Sequence, residues 1–402
     1  MGTSGKDIAV DTSARSGKVG RLIGNWAYRL YVGVGVLLAA LTVVFTLAPP
    51  AVTGVQTGLF VLQVLRVPFQ PQSWFTAEPL REEIAYPRPD GEGVADIYRI
   101  PDDRKRAAVL LFLGANATGR GDKDVINLGN ALARSGFVAM FNWSPTMGLQ
   151  HNIDPKEIEN LVWAFQYLES LDFVDQERVG MGGFSVGASF AMVAAADPRI
   201  RDDVVFVSSF GGYYDMRDVI LQIASRSRFY RGQQEPWEVD RLTWLVFANE
   251  LIESLDDPAE RRLFTRRFVR DEPVSDEELE GLSSQAQIVR RLLEGTTLEE
   301  AEALFQRLPN DFRQEMARVS PSAYISNIEA RLMIMHDQGD LLIPAAESRR
   351  LVDALESRGN FRYTETEVFE HVRPGGGGEV WLLVKEAAKL YGHMYGIIDI
   401  AR

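Results

Sequence analysis

A five-residue segment at 183–187, with the sequence GFSVG, limits the possible folds of this chain more than any other feature. A short apolar run at 178–182 precedes it and an alanine-rich run at 188–196 follows it, so a strand passes directly into a helix. The small residues on either side of Ser185 let strand and helix approach each other, and the serine hydroxyl can then project beyond the sheet. The N–H of Val186 lies at the amino end of the helix, where it can stabilise an oxyanion. The segment therefore predicts a nucleophilic Ser185 on a sharp strand-to-helix turn.

The rest of the chain alternates between apolar strand patterns and amphipathic helix patterns, which favours a parallel sheet covered on both faces. The predicted strands are 82–86, 95–100, 107–113, 137–142, 178–182, 204–209, 331–336 and 362–369. From about residue 217 to 317 the pattern is helical and charged instead, with predicted helices at 240–255, 258–270, 276–293 and 298–308. The simplest interpretation is an α/β fold whose sheet domain is interrupted by a helical insertion.

A serine hydroxyl needs a base within hydrogen-bond reach, and the chain has only four histidines to supply one. Where a serine occupies such a turn, an acid and then a histidine follow it along the chain. His371 comes directly after the last predicted strand, in a loop that ends in four glycines, whereas His393 falls inside the final helix pattern. His371 is therefore the predicted base.

The acid that orients this histidine should follow the preceding strand, 331–336. Asp340 lies in that loop and is the predicted acid. Asp337, in the same loop, and Asp215, after an earlier strand, remain as alternatives.

A second oxyanion donor should come from the loop after an early strand. The segment 113–116 follows the strand at 107–113, and the N–H of Ala115 is the first choice there, with Asn116 the second. An ordinary glycine turn at Gly114 is the alternative.

The segment from about residue 82 to 396 resembles the α/β-hydrolase superfamily, in particular its dienelactone-hydrolase and acyl-peptidase-like esterases. The turn at 183–187, the loop at 337–344 and His371 after the last strand carry the resemblance. It implies an α/β-hydrolase fold with a mostly parallel sheet, helices on both faces and a helical cap insertion. Many relatives have His-Gly after the early strand, whereas this chain has Leu113-Gly114, so the predicted oxyanion loop departs from the family pattern.

Composition excludes several other classes. The net charge of −13 argues against a nucleic-acid partner, which would require a basic face. The absence of cysteine excludes disulfides, thiolate nucleophiles and cysteine-ligated metals. We expect no metal site, because His336 beside Asp337 is the only adjacent pair of candidate ligands, and we expect no cofactor, because no phosphate-binding loop or dinucleotide fingerprint occurs.

The amino-terminal region predicts a membrane anchor. No charged residue occurs between Leu30 and Leu65, and 30–48 would span roughly 28 Å as a helix, close to the thickness of a bilayer core. Pro49-Pro50 ends this stretch, and a second apolar stretch, 51–65, contains several polar residues. We expect a bacterial cell-membrane protein with one span, which would leave the main domain outside the cytoplasm; a hairpin of two spans, which would return it inside, remains the alternative.

These expectations divide the chain into segments and assign it a function. The segments are a polar basic lead (1–29), the anchor (30–65), a connector (66–79), a first core part (80–216), a helical cap (217–318) and a second core part (319–402). The predicted function is a membrane-anchored carboxylesterase acting through an acyl-enzyme on a small-molecule or lipid-like ester. The alternatives are a serine peptidase, an acyltransferase, and a non-catalytic subunit that retains the fold within a membrane complex or homo-oligomer.

Overall fold

The computed structural model describes residues 34–35, 49–65, 71–114, 119–275, 277–367, 369–370, 373–374 and 380–401. The chain divides after Val55, and the unit Gln56–Arg402 contains the main sheet, its helices and the cavity. The predicted division of this unit into core, cap and second core part remains a prediction.

Eight strands form the main sheet, and two pairs of short strands lie outside it. The main-sheet strands are β1 (Leu80–Arg88), β2 (Gly91–Arg99), β3 (Arg106–Phe112), β4 (Phe137–Trp143), β5 (Val174–Phe184), β6 (Val204–Phe210), β9 (Arg331–Asp337) and β10 (Phe361–Thr366). The two pairs are β7 (Ser227–Tyr230) with β8 (Gln233–Pro236), and β11 (Phe369–Glu370) with β12 (Arg373–Pro374).

The strand order in the main sheet is β1-β2-β4-β3-β5-β6-β9-β10. The pairs β1–β2 and β2–β4 are antiparallel, and all pairs from β4 to β10 are parallel. The central strands are nearly continuous apolar runs because they are buried on both faces, as β3 and β4 show. The carboxyl ends of β3, β5, β6 and β9 therefore meet at one edge of the sheet.

Thirteen helices of the described residues surround or extend this sheet. They are α1 (Pro49–Val64), α2 (Lys123–Arg134), α3 (Pro145–Gln150), α4 (Lys156–Glu169), α5 (Val186–Ala194), α6 (Met216–Ser225), α7 (Arg241–Glu253), α8 (Pro258–Phe264), α9 (Ser284–Glu294), α10 (Leu298–Phe305), α11 (Asn310–Arg318), α12 (Ala346–Leu355) and α13 (Val380–Ile398).

The sheet separates two apolar layers, because alternate strand residues point to opposite faces. On β3, Ala108, Leu110 and Phe112 pack with α4, α5 and the helices that follow β6. Val109 and Leu111 point the other way and pack with α2 and α13. The site therefore lies at an edge of a sheet that is covered on both faces.

The second apolar stretch of the sequence forms α1, and its carboxyl half packs on the second layer. Phe60 is only 2% exposed and belongs to the same apolar cluster as α2 and α13. The Gln63 side chain donates to Asn127 Oδ1 at 2.6 Å, and Asn127 Nδ2 donates back to the Gln63 carbonyl at 3.0 Å. These polar residues, which are unusual in a lipid-facing helix, instead fix α1 against α2.

None of the described helices is both long and apolar enough to cross a bilayer. The predicted anchor at 30–48 lies outside the described residues except for Val34 and Gly35. Its role therefore remains a prediction.

The segment between β6 and β9 contains helices α6 to α11 and the β7–β8 hairpin. The sequence patterns did not predict the hairpin. Asp240, Asp257, Ser283 and Thr297 each accept a hydrogen bond from a backbone N–H in the first turn of the helix that follows. Such caps supply acceptors for N–H groups that have no partner within the helix, and they explain where these helices begin.

A buried ionic cluster fixes the antiparallel end of the sheet. Asp96 on β2 is 1% exposed and accepts hydrogen bonds from Arg81 at 3.0 Å, Arg120 at 2.6 Å and Trp143 at 3.0 Å. Burial alone would raise the pKa of Asp96, but the bonds from Arg120 and Arg81 more than reverse this, and the pKa lies below its usual value. The cluster joins β1 and β2 to the start of α2.

Candidate active site

Ser185 is the first residue after β5 and immediately precedes α5, as the GFSVG segment predicts. Its backbone has φ 55° and ψ −133°, a conformation that non-glycine residues rarely adopt and that costs about 1–3 kcal/mol. The Ser185 N–H donates to the carbonyl of Phe210 at the end of β6, at 2.9 Å, which helps to hold the turn in place. The structure therefore maintains a strained backbone at the residue predicted to be the nucleophile.

Two glycines of the segment allow this turn because backbone atoms occupy the space of a side chain. A Cβ on Gly183 would lie 2.4 Å from the Gly187 carbonyl group. A Cβ on Gly187 would lie 2.3 Å from the Phe112 carbonyl oxygen and 2.7 Å from the Gly114 nitrogen. Helix α5 therefore packs directly on the end of β3 and on the loop that follows it.

This contact places the start of the loop after β3 beside the amino end of α5. Val186 is the first residue of α5, where backbone N–H groups have no acceptor within the helix. Gly114, with φ 64°, lies against Gly187 on the other side. Ala115 and Asn116 lie outside the described residues, so their role as donors remains a prediction.

Asp340, the predicted acid, follows β9 at the same edge of the sheet and is 1% exposed. Its Oδ1 accepts hydrogen bonds from the N–H groups of Leu342 at 2.7 Å and Ile343 at 3.0 Å. Two backbone donors hold the carboxylate in one orientation and favour its ionised form. Asp340 is thus a fixed, buried carboxylate at the edge that holds Ser185.

His336, at the end of β9, supports the acid loop. Its Nε2 lies 2.9 Å from the Ile343 carbonyl and 3.4 Å from Asp340 Oδ2, and its Nδ1 lies 2.7 Å from Ser348 Oγ. Because a carbonyl oxygen only accepts hydrogen bonds, Nε2 carries a proton, and the contact of Nδ1 with the Ser348 hydroxyl holds the other side of the ring. These contacts give His336 a structural role beside the acid loop.

The two alternative acids have structural contacts of their own. Asp337 accepts from the Gly339 N–H at 2.8 Å and from the Thr366 hydroxyl at 3.1 Å, and so joins β9 to β10. Asp215 caps α6 through the Arg217 N–H at 2.9 Å and accepts from Ser322 Oγ at 2.8 Å. These contacts explain Asp215 as a helix cap. Asp340 remains the predicted acid, and Asp337 remains its alternative.

His371 lies outside the described residues, and the sheet geometry sets what it would have to span. Ser185 follows β5 and Asp340 follows β9, with β6 between them. Two strand spacings separate β5 from β9 by roughly 10 Å. An imidazole with one hydrogen bond of about 2.8 Å on each side would bridge most of such a gap.

A cavity of about 500 Å³ opens at Ser185 and has mostly apolar walls. Its size is in the range of small-molecule sites. Lining residues come from the turn, from the insertion, and from α1, α2 and α13; they include Phe184, Val186, Tyr213, Met216, Phe247, Glu250, Phe312, Phe60, Leu390 and Met394. Helices α7 and α11, both in the insertion, therefore form part of the wall.

Glu250 on α7 was not predicted from the sequence. Burial raises the pKa of Glu250 to about 8, and the neighbouring acids Glu253, Glu315 and Asp154 add to this rise. The sequence carried one signal of this residue, a carboxylate between the buried Phe247 and Leu251 on the apolar side of a helix.

Glu347 on α12 is a second buried acid that the sequence did not reveal. It accepts hydrogen bonds from the N–H groups of Tyr214 and Asp215, each at 3.1 Å, and from the Gln222 side chain at 2.8 Å. Burial raises the pKa of Glu347 to about 7, although Arg350 pairs with it. Glu347 thereby fixes the loop after β6, which forms part of the cavity wall through Tyr213.

Within the part of the chain that the structure describes, no three His, Asp or Glu side chains converge as metal ligands would. The expectation that the site needs no cofactor remains a prediction.

Comparisons with known proteins give distant likenesses. No family model matches the chain. A probable 2-oxo-3-(5-oxofuran-2-ylidene)propanoate lactonase from Bradyrhizobium sp. is 28% identical over a region covering 26% of this chain, and the match spans about half (51%) of the lactonase. A hyperthermophilic esterase from the archaeon Pyrobaculum calidifontis has a TM-score of 0.46 at 14% identity, with 86% of this chain and 90% of the esterase covered. A 2,6-dihydroxy-pseudo-oxynicotine hydrolase also has a TM-score of 0.46 at 14% identity, with coverages of 80% and 68%.

The fold assignment rests on the strand order and the position of Ser185 rather than on these likenesses. A mostly parallel sheet with helices on both faces, and a serine of positive φ on the sharp turn between β5 and α5, define the α/β-hydrolase fold. The predicted fold class is confirmed in its sheet and helices.

Proposed function

We propose that this protein is a serine hydrolase that cleaves carboxylic esters through an acyl-enzyme. The observation that carries the proposal is the strained Ser185 at the opening of an apolar cavity. Strain of this kind persists only where the surrounding structure maintains it, and it is concentrated at functional sites.

The reaction would proceed in two steps. In the first, Ser185 Oγ bonds to the ester carbonyl carbon while its proton passes to His371. The tetrahedral intermediate then expels the alcohol, whose oxygen takes that proton, and the acyl group remains on the serine. In the second step, water attacks the acyl-enzyme with His371 as base, and the acid leaves with Ser185 restored.

Three groups would assist both steps. Asp340 would hold His371 in the correct orientation and stabilise its cation. The N–H groups of Val186 and Ala115 would bind the oxyanion, and donors of this kind contribute about 10²–10³-fold in rate. The contact between Gly114 and Gly187 supports this pairing of donors.

The apolar cavity favours esters with a substantial apolar part. Because a lactone is an internal ester that follows the same chemistry, the likeness to a lactonase adds lactones to the substrates worth testing. Linear p-nitrophenyl esters, lactones and peptide p-nitroanilides together separate an esterase from a peptidase.

A fluorophosphonate probe tests the nucleophile directly. The wild-type protein should be labelled, and Ser185→Ala should not be. Ser208→Ala is the matched control, because Ser208 also lines the cavity but lies on β6, and it should be labelled like the wild type. Folded wild-type protein that takes up no probe would favour the non-catalytic subunit instead.

We also propose that the uncharged segment 30–48 attaches the enzyme to a membrane. Arginines at Leu38 and Val43 should move the full-length protein from the carbonate-resistant membrane fraction to the supernatant, because each charge costs about 2.5–3.5 kcal/mol at a bilayer centre. The same positions changed to isoleucine are the control. Retention of the arginine variant in the membrane would contradict the anchor.

A further inference from the structure

Glu250 lies in the wall of the cavity that contains Ser185, and only part of its carboxylate is used by the protein. Its Oε1 accepts a hydrogen bond from the Ile153 N–H at 2.6 Å. The residue is partly buried and lines the cavity. Its Oε1 therefore joins α7 to the 151–154 loop, and no hydrogen bond or ion pair among the described residues engages its Oε2.

The charges that act most strongly on Glu250 are all negative. They come from Glu253 on its own helix, Glu315 on α11 and Asp154 in the neighbouring loop. Among the described residues, no lysine or arginine forms an ion pair with Glu250. A buried carboxylate without a countercharge is costly, and burial with these neighbours is what raises the pKa of the group.

Other residues of the cavity wall would also suit a cation. Tyr213 lines the cavity, but its hydroxyl donates to the Val319 carbonyl at 2.7 Å and is therefore not a donor for Glu250. The rings of Phe247 and Phe312 line the same cavity, and aromatic faces attract a cation electrostatically. Glu250 is the carboxylate that the described part of the insertion contributes to the cavity wall, which also contains Asp122 and Asp124 at the start of α2.

We infer that Glu250 is a specificity-determining residue that binds a positively charged group of the substrate. The substrate class is an ester whose apolar chain ends in an ammonium group. Bound substrate would supply the countercharge that the cavity lacks, and the carboxylate would orient the ester toward Ser185. The inference rests on the proposed function, because its kinetic test requires ester hydrolysis.

A purely structural role predicts a different behaviour. A glutamine at this position would still accept the Ile153 N–H through its amide oxygen, so the link between α7 and the 151–154 loop would survive. A residue that only made this link could therefore be replaced by glutamine without changing which substrates are preferred.

The kinetic test compares two p-nitrophenyl esters that differ in charge alone. One acyl chain ends in a trimethylammonium group and the other in the isosteric tert-butyl group. The two esters are compared at a series of acyl-chain lengths from 4 to 12 carbons. For the full-length wild type at pH 9, above the pKa of about 8 for Glu250, kcat/KM should be at least about tenfold higher for the cationic ester at the best chain length. In Glu250→Gln the ratio should fall to about one, with the rate on the neutral ester kept.

Glu253→Gln is the matched control. Glu253 is on the same helix, accepts from the Asn152 side chain at 2.6 Å, and does not line the cavity. It should retain the preference for the cationic ester within about twofold. Melting temperatures of all three proteins check that the substitutions leave the fold intact.

A binding measurement separates the failure of this inference from the failure of the proposed function. Hexyltrimethylammonium should bind the wild type in a calorimeter and bind Glu250→Gln at least tenfold more weakly, whether or not any ester is hydrolysed. Equal rates on both esters at every chain length, or a preference that survives in Glu250→Gln, would overturn the inference. Absence of all ester hydrolysis, with cation binding intact, would instead refute the proposed activity.

Discussion

Replacing Gly187 with alanine should damage the active site more than the stability of the protein. The new Cβ would lie 2.3 Å from the Phe112 carbonyl oxygen and 2.7 Å from the Gly114 nitrogen. Favourable contact begins near about 3.5 Å, so α5 and the end of β3 must separate by about 1 Å. Both contacts are with backbone atoms, so no side-chain rotation can relieve them.

The expected loss can be estimated in two parts. Overpacking of this kind costs about 1–3 kcal/mol of stability, which a domain of this size tolerates. The same separation moves the Val186 N–H away from the loop after β3, and a misplacement of about 1 Å can reduce the rate about 100-fold. We therefore expect folded protein whose rate of fluorophosphonate labelling, and whose kcat on a p-nitrophenyl ester, fall about 100-fold.

Gly121→Ala provides the matched control, because a Cβ there has no neighbour within 4 Å. This variant should be as active as the wild type, and its melting temperature should be equal or slightly higher, since alanine restricts the unfolded chain. A Gly187→Ala protein that is labelled and turns over substrate like the wild type would refute the reasoning. The turn at Ser185 would then tolerate a displacement that these backbone contacts forbid.

Five further substitutions test the acid and base, the ionic cluster and the first helix. His371→Ala should lower kcat by several orders of magnitude, and Asp340→Asn should lower it more than Asp337→Asn; the reverse order would transfer the acid role. Because the pKa of Asp96 is lowered in the folded state, its stabilising effect should be present above the ordinary value of 3.8 and be lost as the pH falls through the lower folded-state pKa. Chemical denaturation should accordingly show Asp96→Asn about 1–2 kcal/mol less stable than the wild type at pH 7, with a smaller difference at pH 3. Phe60→Ala should cost about 2–4 kcal/mol in the same assay, and an unchanged free energy of unfolding would show that α1 is not part of the folded core.

Local patterns predicted the elements that depend on local chemistry. The GFSVG segment specified the turn at Ser185, because small residues, an apolar strand and a small-residue helix must coincide there. The run at 240–255 predicted α7, and Asp240 caps it one residue before the observed start. Strand β5 begins at Val174 rather than at 178, because Val174 pairs with Arg106; the polar residues 175–178 lie at a shift in register before the pairing resumes at Val179.

Features that depend on distant contacts were not predictable in this way. The second apolar stretch, 51–65, has the composition of a span, yet Phe60 and Gln63 pack on α2 through partners more than 60 positions away. Asp215, an alternative for the acid, caps the start of α6 with one oxygen and accepts from Ser322, 107 positions away along the chain, with the other. The significance of Glu250 depends on a cavity wall to which the turn at Ser185, the insertion and helices α1, α2 and α13 all contribute.

The direct contact of backbone on backbone at Gly114 and Gly187 has a consequence for changing the substrate range proposed for this protein. The proposed chemical machinery depends on sheet register and main-chain packing, whereas much of the cavity wall belongs to the chain between β6 and β9. A combinatorial library confined to positions such as 246, 247 and 312 should therefore yield variants with new preferences and an undiminished rate of probe labelling. Laboratory evolution of this protein can separate selectivity from reactivity because the two are encoded in different stretches of chain.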